Sequence, residues 1–451
     1  MTISKEIINK IKQSNCSTDE TFFQAVEEVV DSIQPIIESD PIYSRHSILD
    51  RLTKPDKEFK FKVVWMDDNQ NIQVNTGYRI QFNNALGPYK GGLRFHPSVN
   101  SGILKFLGFE QIFKNALTGL CIGGGKGGSD FDPKGKSDFE IMKFCSAFML
   151  QLHKHIGPRT DVPAGDIGVG AREIGYLFGE YKKLTSNYDG ILTGKPYMFG
   201  GSLMRPEATG YGCVYFTDEM LKYAGKDDFN GRICTVSGAG NVAIHTIEKL
   251  YDLGAKPVSC SDSKGTIYDS RGIDLKLLKE LKFEKRVSVE EYCLEHTEAV
   301  YTKVEDYPEG GHAVWNIPCD CAFPCATQNE LTLLDAQNLI KNGSISVSEG
   351  ANMPSTPEAI HLLQKNGILF APGKAANAGG VAVSEFEMAQ NSAMVKWEYE
   401  KVDRMLEQTM RSICKTVHLT AEEYGVAGNY VDGANIAGFK KVADAMIAEG
   451  I

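Results

Sequence analysis

A chain of 451 residues, 42% hydrophobic and 24% charged, can bury a sizeable core. At roughly 100–200 residues per domain it is expected to fold as two or three domains. Its 48 basic and 58 acidic residues leave a net charge of −10, which excludes a general nucleic-acid binder, and no apolar run approaches the ~18 residues of a membrane helix.

The first fifteen residues, MTISKEIINKIKQSN, mix Glu6 with Lys5, Lys10 and Lys12 and read as a surface helix rather than a signal peptide. Residues 1–60 read as helical, because Val26, Val29, Val30, Ile33, Ile36 and Ile37 recur at helix spacing before an Asp40-Pro41 stop. FKVVWM and IQVNTGYRIQF, separated by Asp67, Asp68 and Asn69, predict a hairpin. Helices are expected from Gly102 to Gly119 and from Asp138 to His155. After residue 200 short apolar segments (RICTVS, PVSC, HAVW, CDCAF, ISVS, ILFAP) alternate with helical stretches, which predicts a parallel sheet with helices on both faces. From Glu385 onward only helix is expected. The reading is an α/β protein: a first α/β domain (1–200), a Rossmann-like domain (201–380) and a helical segment (381–451) returning to the first.

The eleven cysteines are scattered and odd in number, as expected of reduced thiols in a cytoplasmic chain. Cys319, Cys321 and Cys325 form the one dense group, but they make no CxxC pair, so no metal site is expected.

Ser237-Gly238-Ala239-Gly240-Asn241-Val242-Ala243 follows a predicted strand and opens a predicted helix, and it fits the GxGxxA dinucleotide fingerprint. Gly238 permits the tight turn, Gly240 lets backbone approach a pyrophosphate, and Ala243 lets helix pack on strand; Asn241 and Val242 open the helix whose N–H groups meet the phosphates. Asp262 ends the next strand, at about the ~20-residue distance at which an acid binds the ribose 2′-hydroxyl of NAD. Ser261, Ser263 and Lys264 around it instead suit the 2′-phosphate of NADP. The two signals conflict; NADP is favoured, with NAD as the alternative.

Three lysines of the first domain have unusual surroundings. Lys90 sits in PYKGGLRFHP, where Gly91 and Gly92 remove side chains beside the amine. Lys114 shares a helix face with Leu107, Gln111 and Thr118. Lys126 sits in Gly123-Gly124-Gly125-Lys126-Gly127-Gly128, read as a loop that a ligand can approach closely. A lysine taken alone is ordinarily a solvated charge. Lysines brought together and buried lower each other's pKa and become able to act as bases or to hold a reacting oxygen. Asp166, in DVPAGDIGVG, reads equally as a site carboxylate or as the N-cap of a helix starting near Gly170.

Taken together, PYKGGLRFHP, GGGKGG, DVPAGDIGVGAREIGY, RPEATGYG, SGAGNVA, PCATQNEL, SEGANMPST and NAGGVAVSEFEMAQN resemble the glutamate dehydrogenase family of hexameric amino-acid dehydrogenases, from about residue 40 to the end. The SDSKG turn is most similar to the small-hexamer, NADP-specific branch. The resemblance implies reversible NADP(H)-dependent reductive amination of 2-oxoglutarate with ammonia to L-glutamate, in a homohexamer. It implies Lys126 as catalytic lysine and Asp166 as proton-transferring carboxylate. It places the γ-carboxylate on Lys90 and Ser384, and the α-carboxylate on Lys114, Gln111 and the Gly165 backbone. Thr209 and Asn241 would contact NADP, with Ala326, Gln328, Asn352 and Asn377 lining the ribose and nicotinamide path. A leucine-, valine- or phenylalanine-type dehydrogenase is the alternative, discriminated by Lys90 and Ser384. A dinucleotide-binding regulator without catalysis is the second, and the presence of Lys126 and Asp166 argues against it.

Overall fold

The computed structural model describes residue 9 and residues 20–450. They divide into two compact units: residues 20–205, 383–402 and 435–450 in one, and 206–382 with 403–434 in the other. Of the C-terminal helical segment, 381–382 and 403–434 therefore belong with the nucleotide-fingerprint unit, and 383–402 and 435–450 with the first. Of the expected helix over residues 1–15 only residue 9 is described, and it is helical and exposed; the rest lies outside the described residues.

In the first unit, Glu20–Ser39 is helical, with Val26, Val29, Val30 and Ile33 buried. Asp40 ends it and caps the next helix, Pro41–Arg45, by accepting from the Ile42 N–H. Strand β1 (Lys57–Met66) begins inside the span read as helical and pairs antiparallel with β2 (Ile72–Asn83), Val64 opposite Val74. Asp67 closes this hairpin by accepting from the N–H groups of Asn69 and Asn71. The sheet continues with β3 (Tyr89–Phe95), β4 (Gly124–Ser129) and β5 (Asp161–Gly165), in the order β1-β2-β4-β3-β5.

β3, β4 and β5 were not expected as strands, and the expected GGGKGG loop is corrected to the strand β4. The cause is packing. A Cβ at Gly124 would lie 2.7 Å from the Ile112 side chain, and one at Gly127 would lie 2.8 Å from the Tyr78 carbonyl oxygen. Glycine in a strand costs roughly 0.5–1 kcal/mol against alanine, but here it lets the helix Ser101–Leu117 lie flush on the sheet. Gly91 has the same explanation, since its Cβ would meet the Gly125 carbonyl oxygen at 1.6 Å. The opposite face is sealed by Phe95, Phe131, Phe144 and Phe148; Phe131 and Phe144 stack at 3.8 Å. Burying each such ring contributes roughly 1.5–3 kcal/mol, so the ends of β3 and β4 sit on a rigid base.

The second unit contains β6 (Ile233–Val236), β7 (Lys256–Pro257), β8 (Ser259–Asp262), β9 (Gly265–Tyr268), β10 (Val300–Lys303), β11 (Cys321–Phe323), β12 (Ser346–Ser348) and β13 (Leu369–Ala371). Five form a parallel sheet, β13-β12-β11-β6-β7, as the strand–helix alternation predicted. PVSC splits between this sheet (β7) and a small antiparallel sheet β10-β9-β8, whose β9 and β10 were not anticipated. HAVW is not a strand: Ala313–Asn316 forms a 3-10 turn, with Trp315 buried and its indole N–H donating to the Glu330 carbonyl. The chain runs outward from β6 in one direction through β7 and in the other through β11, which makes a topological switch point between β6 and β11. Among the described residues no helix is long and apolar enough to cross a membrane.

Candidate active site

Every strand residue proposed from the lysine motifs lies on neighbouring strands of the first sheet. Lys90 pairs in register with Val162, and Lys126 with Ile80. Lys90 is 1% exposed; its ammonium donates to the Val162 carbonyl (3.0 Å) and to Thr193 Oγ1 (2.7 Å). Both acceptors are neutral. Burial holds its pKa well below the ordinary lysine value; Glu387 opposes that shift, while Arg205, Arg79 and Lys195 add to it. Thr193 itself is fixed on the β5 edge, its N–H donating to the Pro163 carbonyl.

Lys126 Nζ lies 3.0 Å from Asp166 Oδ2, and Arg94 Nε donates to the same oxygen at 2.9 Å. The Lys126 side chain is 8% exposed and that of Asp166 16%. Burial lowers the Lys126 pKa, against the attraction of Asp166. Burial would raise that of Asp166, but Lys126 and Arg94 outweigh it and hold the carboxyl below its usual range. Asp166 does not cap the following helix: Gly170 occupies that position, and Glu173 accepts from its N–H. The site-carboxylate alternative is therefore the one that the geometry favours.

Lys114 and Gln111 project from the helix Ser101–Leu117. Burial and the neighbouring Lys126 push the Lys114 pKa down to about 8. Gln111 donates to Asn115 Oδ1 at 2.6 Å, and Asn115 in turn donates to the carbonyls of Lys90 and Gly123. This strut ties the helix to β3 and to the start of β4. Ser384, on the helix Gly379–Ala393, is buried at 2% exposure. Gly165 closes β5 immediately before Asp166.

Several groups around these were missed from sequence. Arg79 and Asp161 form a fully buried ion pair, with Arg79 Nε 2.8 Å from Asp161 Oδ2, and Arg79 also donates to the Gly91 carbonyl. Arg94 could have been found once β3 was recognised, because strand alternation puts residues 90, 92 and 94 on one face. Arg79, Asp161, Thr193 and Glu387 left no local signal.

In the second unit the fingerprint has the expected geometry. Gly238 has φ +87°, and a Cβ there would meet Ala326 at 3.2 Å. A Cβ at Gly240 would meet nothing within 4 Å, so the backbone there is open to a close ligand. Gly240 is the N-cap of the helix Asn241–Asp252 and supplies no side-chain partner to its first N–H groups, while Ala243 is fully buried. These are the features that a dinucleotide pyrophosphate requires. Asn241 is exposed and Val242 half-buried at the helix start. Thr209 is half-buried on the helix Ala208–Tyr223. Ala326 and Gln328 are exposed just past β11, and Asn377 Nδ2 donates to Asn352 Oδ1 at 3.0 Å.

The conflict at the end of β8 has a structural resolution. The Asp262 carboxylate accepts from the N–H groups of Val289 (2.9 Å) and Lys264 (3.0 Å) and pairs with Lys282 at 3.3 Å. Burial would raise its pKa, but these partners lower it. An acid so engaged is poorly placed to take a ribose hydroxyl, whereas Ser263 and Lys264 are exposed. Ser261, read as a phosphate-facing hydroxyl, instead accepts from the Gly238 N–H and is a strut of the turn. Of the clustered cysteines, Cys319 accepts from Thr235 and Cys325 contacts Thr246.

The fold and these sites define a dinucleotide-using α/β enzyme, and the comparisons with known proteins agree. The model described as Glu/Leu/Phe/Val dehydrogenase, dimerisation domain, matches residues 55–183, and that of Glutamate/Leucine/Phenylalanine/Valine dehydrogenase matches residues 200–450. The chain belongs to this family of amino-acid dehydrogenases. It is 60% identical over 430 residues to the NADP-specific glutamate dehydrogenase of Helicobacter pylori, covering 95% of this chain and 96% of that one. It is 53% identical over 453 residues to the NAD(P)-specific glutamate dehydrogenase of Xylanibacter ruminicola, covering 99% of each. Among solved structures, a Plasmodium falciparum glutamate dehydrogenase superposes with a TM-score of 0.95 at 49% identity, over 99% of this chain and 94% of that one.

Proposed function

We propose that this chain is an NADP-dependent glutamate dehydrogenase that catalyses the reversible reductive amination of 2-oxoglutarate with ammonia to L-glutamate. The observation that carries this reading is the buried Lys90 ammonium, whose hydrogen bonds among the described residues go to the neutral oxygens of Val162 and Thr193. A buried cation is costly without a counter-charge, and a substrate bearing a second carboxylate supplies one. A branched or aromatic amino acid does not, which disfavours the leucine-, valine- and phenylalanine-type alternative.

In this reading Lys90 and Ser384 hold the γ-carboxylate, and Lys114, Gln111 and the Gly165 backbone hold the α-carboxylate. Ammonia attacks the keto carbon, and the Lys126 ammonium stabilises the charge that develops on the keto oxygen. Asp166, hydrogen-bonded to Lys126, moves the protons needed for water to leave and an iminium to form. NADPH, when bound, supplies the hydride that reduces this carbon. Thr209, Gly238, Gly240, Asn241 and Val242 serve the phosphates, Ser263 and Lys264 beside Asp262 the 2′-phosphate, and Ala326, Gln328, Asn352 and Asn377 the ribose and nicotinamide. Serine and lysine there favour NADP, and NAD remains a second coenzyme, as in the relative that uses both.

The apolar outer face of the hairpin, where Val64 pairs with Val74 and Met66 with Ile72 and all four are exposed, supports self-association through the first unit; a homohexamer is the assembly proposed. The free thiols at the described cysteines support a reducing, cytoplasmic setting.

A spectrophotometric assay with NADPH, ammonium and a panel of keto acids tests the reading. 2-Oxoglutarate should far outpace 4-methyl-2-oxopentanoate, and NADPH should outpace NADH. Lys90→Leu should shift the preference, lowering the glutamate-to-norleucine ratio of kcat/KM by roughly 10- to 10²-fold, the size expected when a charge-assisted hydrogen bond of roughly 1.5–3 kcal/mol is lost. An unmoved ratio would refute the γ-carboxylate assignment.

A further inference from the structure

Behind Lys90 lies a buried group that the reaction scheme does not use. Glu387, on the helix Gly379–Ala393 and one turn beyond Ser384, is fully buried. Its Oε1 lies 2.9 Å from Lys195 Nζ. Its Oε2 accepts from the Gly194 N–H at 2.9 Å, and Oε1 from the Lys195 N–H at 3.3 Å. One carboxylate therefore fastens residues 194–195 to the helix that carries Ser384, and the adjacent Thr193 hydroxyl is what Lys90 donates to.

The charge balance is as informative as the geometry. The charged groups that act on Lys90 are Arg79 from β2, Lys195, Arg205 and Glu387. Arg79 is already matched by Asp161. Lys195 is matched by Glu387, which is also the carboxylate acting on Arg205. The Nε of Arg205 is buried and has no hydrogen-bond partner. One buried anion thus faces three cations, the buried Lys90 and Lys195 and the half-buried Arg205.

We propose that Glu387 is a positioning residue for recognition of the substrate's side-chain carboxylate: it fixes the Thr193 segment against the Ser384 helix and supplies the negative field under which the Lys90 ammonium meets that carboxylate. This rests on the reading of Lys90 as the γ-carboxylate holder. Without the Glu387 charge, Lys90 loses its attractive neighbour and keeps the repulsive ones. It would then give up its proton at lower pH and bind a carboxylate over a narrower range.

The test compares L-glutamate with L-norleucine, which carries the α-carboxylate but no γ-carboxylate, across pH in the purified assembly. Effects on Lys114 act on both substrates and cancel in the ratio of their kcat/KM values, so the ratio reports on Lys90. In Glu387→Gln the ratio should fall at least ~10-fold at pH 8, mainly through KM for glutamate, and its alkaline limb should move to lower pH by about one unit, the shift that ~1.4 kcal/mol of lost interaction produces. Norleucine turnover should change less than ~3-fold. Should Glu387→Gln fail to fold because Lys195 is left unpaired, the double variant Lys195→Met with Glu387→Gln removes both buried charges and is expected to show a fall and a limb shift in the same direction, smaller than those of the single variant because the repulsive Lys195 goes with the attractive Glu387. Equal losses on both substrates, or an unmoved limb in whichever variant folds, would overturn the proposal and leave Glu387 a structural brace. Lys90→Leu separates the two readings: if it leaves the ratio unchanged, the γ-carboxylate assignment has failed rather than the role of Glu387.

Discussion

Replacing Lys126 by alanine is expected to lower turnover by at least ~10²-fold, the usual scale for loss of a group that assists proton transfer or stabilises a developing charge. Coenzyme affinity should be unchanged, because Lys126 lies on β4 of the first unit while the GxGxxA turn lies in the second. The structure supplies the reason for so large an effect. The Lys126 amine is 3.0 Å from Asp166, and burial with the nearby Arg94 draws its pKa down. Removing it leaves Asp166 paired with Arg94 alone, so the carboxylate keeps its orientation and loses the neighbour with which it exchanges protons. Steady-state kinetics with coenzyme binding measured in parallel would check this; near-normal turnover would remove Lys126 from the mechanism.

The second large effect concerns stability. Asp161→Ala should cost about 3–5 kcal/mol, because it strands the Arg79 guanidinium in a fully buried position. The loss should exceed that of a single hydrogen bond, since Asp161 also accepts from Gln81. Thermal and denaturant unfolding would register it as a markedly lowered midpoint. Replacing Arg79 and Asp161 together by apolar residues of similar volume should recover much of the loss, because no uncompensated charge then remains. An unfolding free energy within about 1 kcal/mol of the parent for Asp161→Ala would show that the pair is dispensable.

What could be read in advance follows the range of the physics involved. The hairpin, the helices at 101–117 and 138–152 and the GxGxxA turn are written in short-range patterns, in side-chain periods and in turn residues, and these segments fold as read. β3, β4 and β5 escaped because their alternation is nearly erased: GGKGGS is buried throughout and YKGGLRF at every position but the half-buried Arg94, so no exposed polar face marks the period. The spacing of HAVW has no way of announcing that Trp315 turns inward to reach the Glu330 carbonyl. In the same way the partners of Asp262, Val289 and Lys282, lie 27 and 20 residues further along the chain and leave no local signal. Arg79 with Asp161, and Lys195 with Glu387, are joined across 82 and 192 residues. Such pairs have no local signature, yet they set the field in which Lys90 and Lys126 work. The reactive lysines were visible because glycine surrounds them, whereas the groups that tune them were not.

A crystal structure with 2-oxoglutarate bound would probe this most directly. One carboxylate is expected within roughly 3 Å of the Lys90 amine, the other at the same distance from Lys114, and the keto oxygen towards Lys126. An acid lodged elsewhere, with those amines hydrogen-bonded to water, would contradict the account.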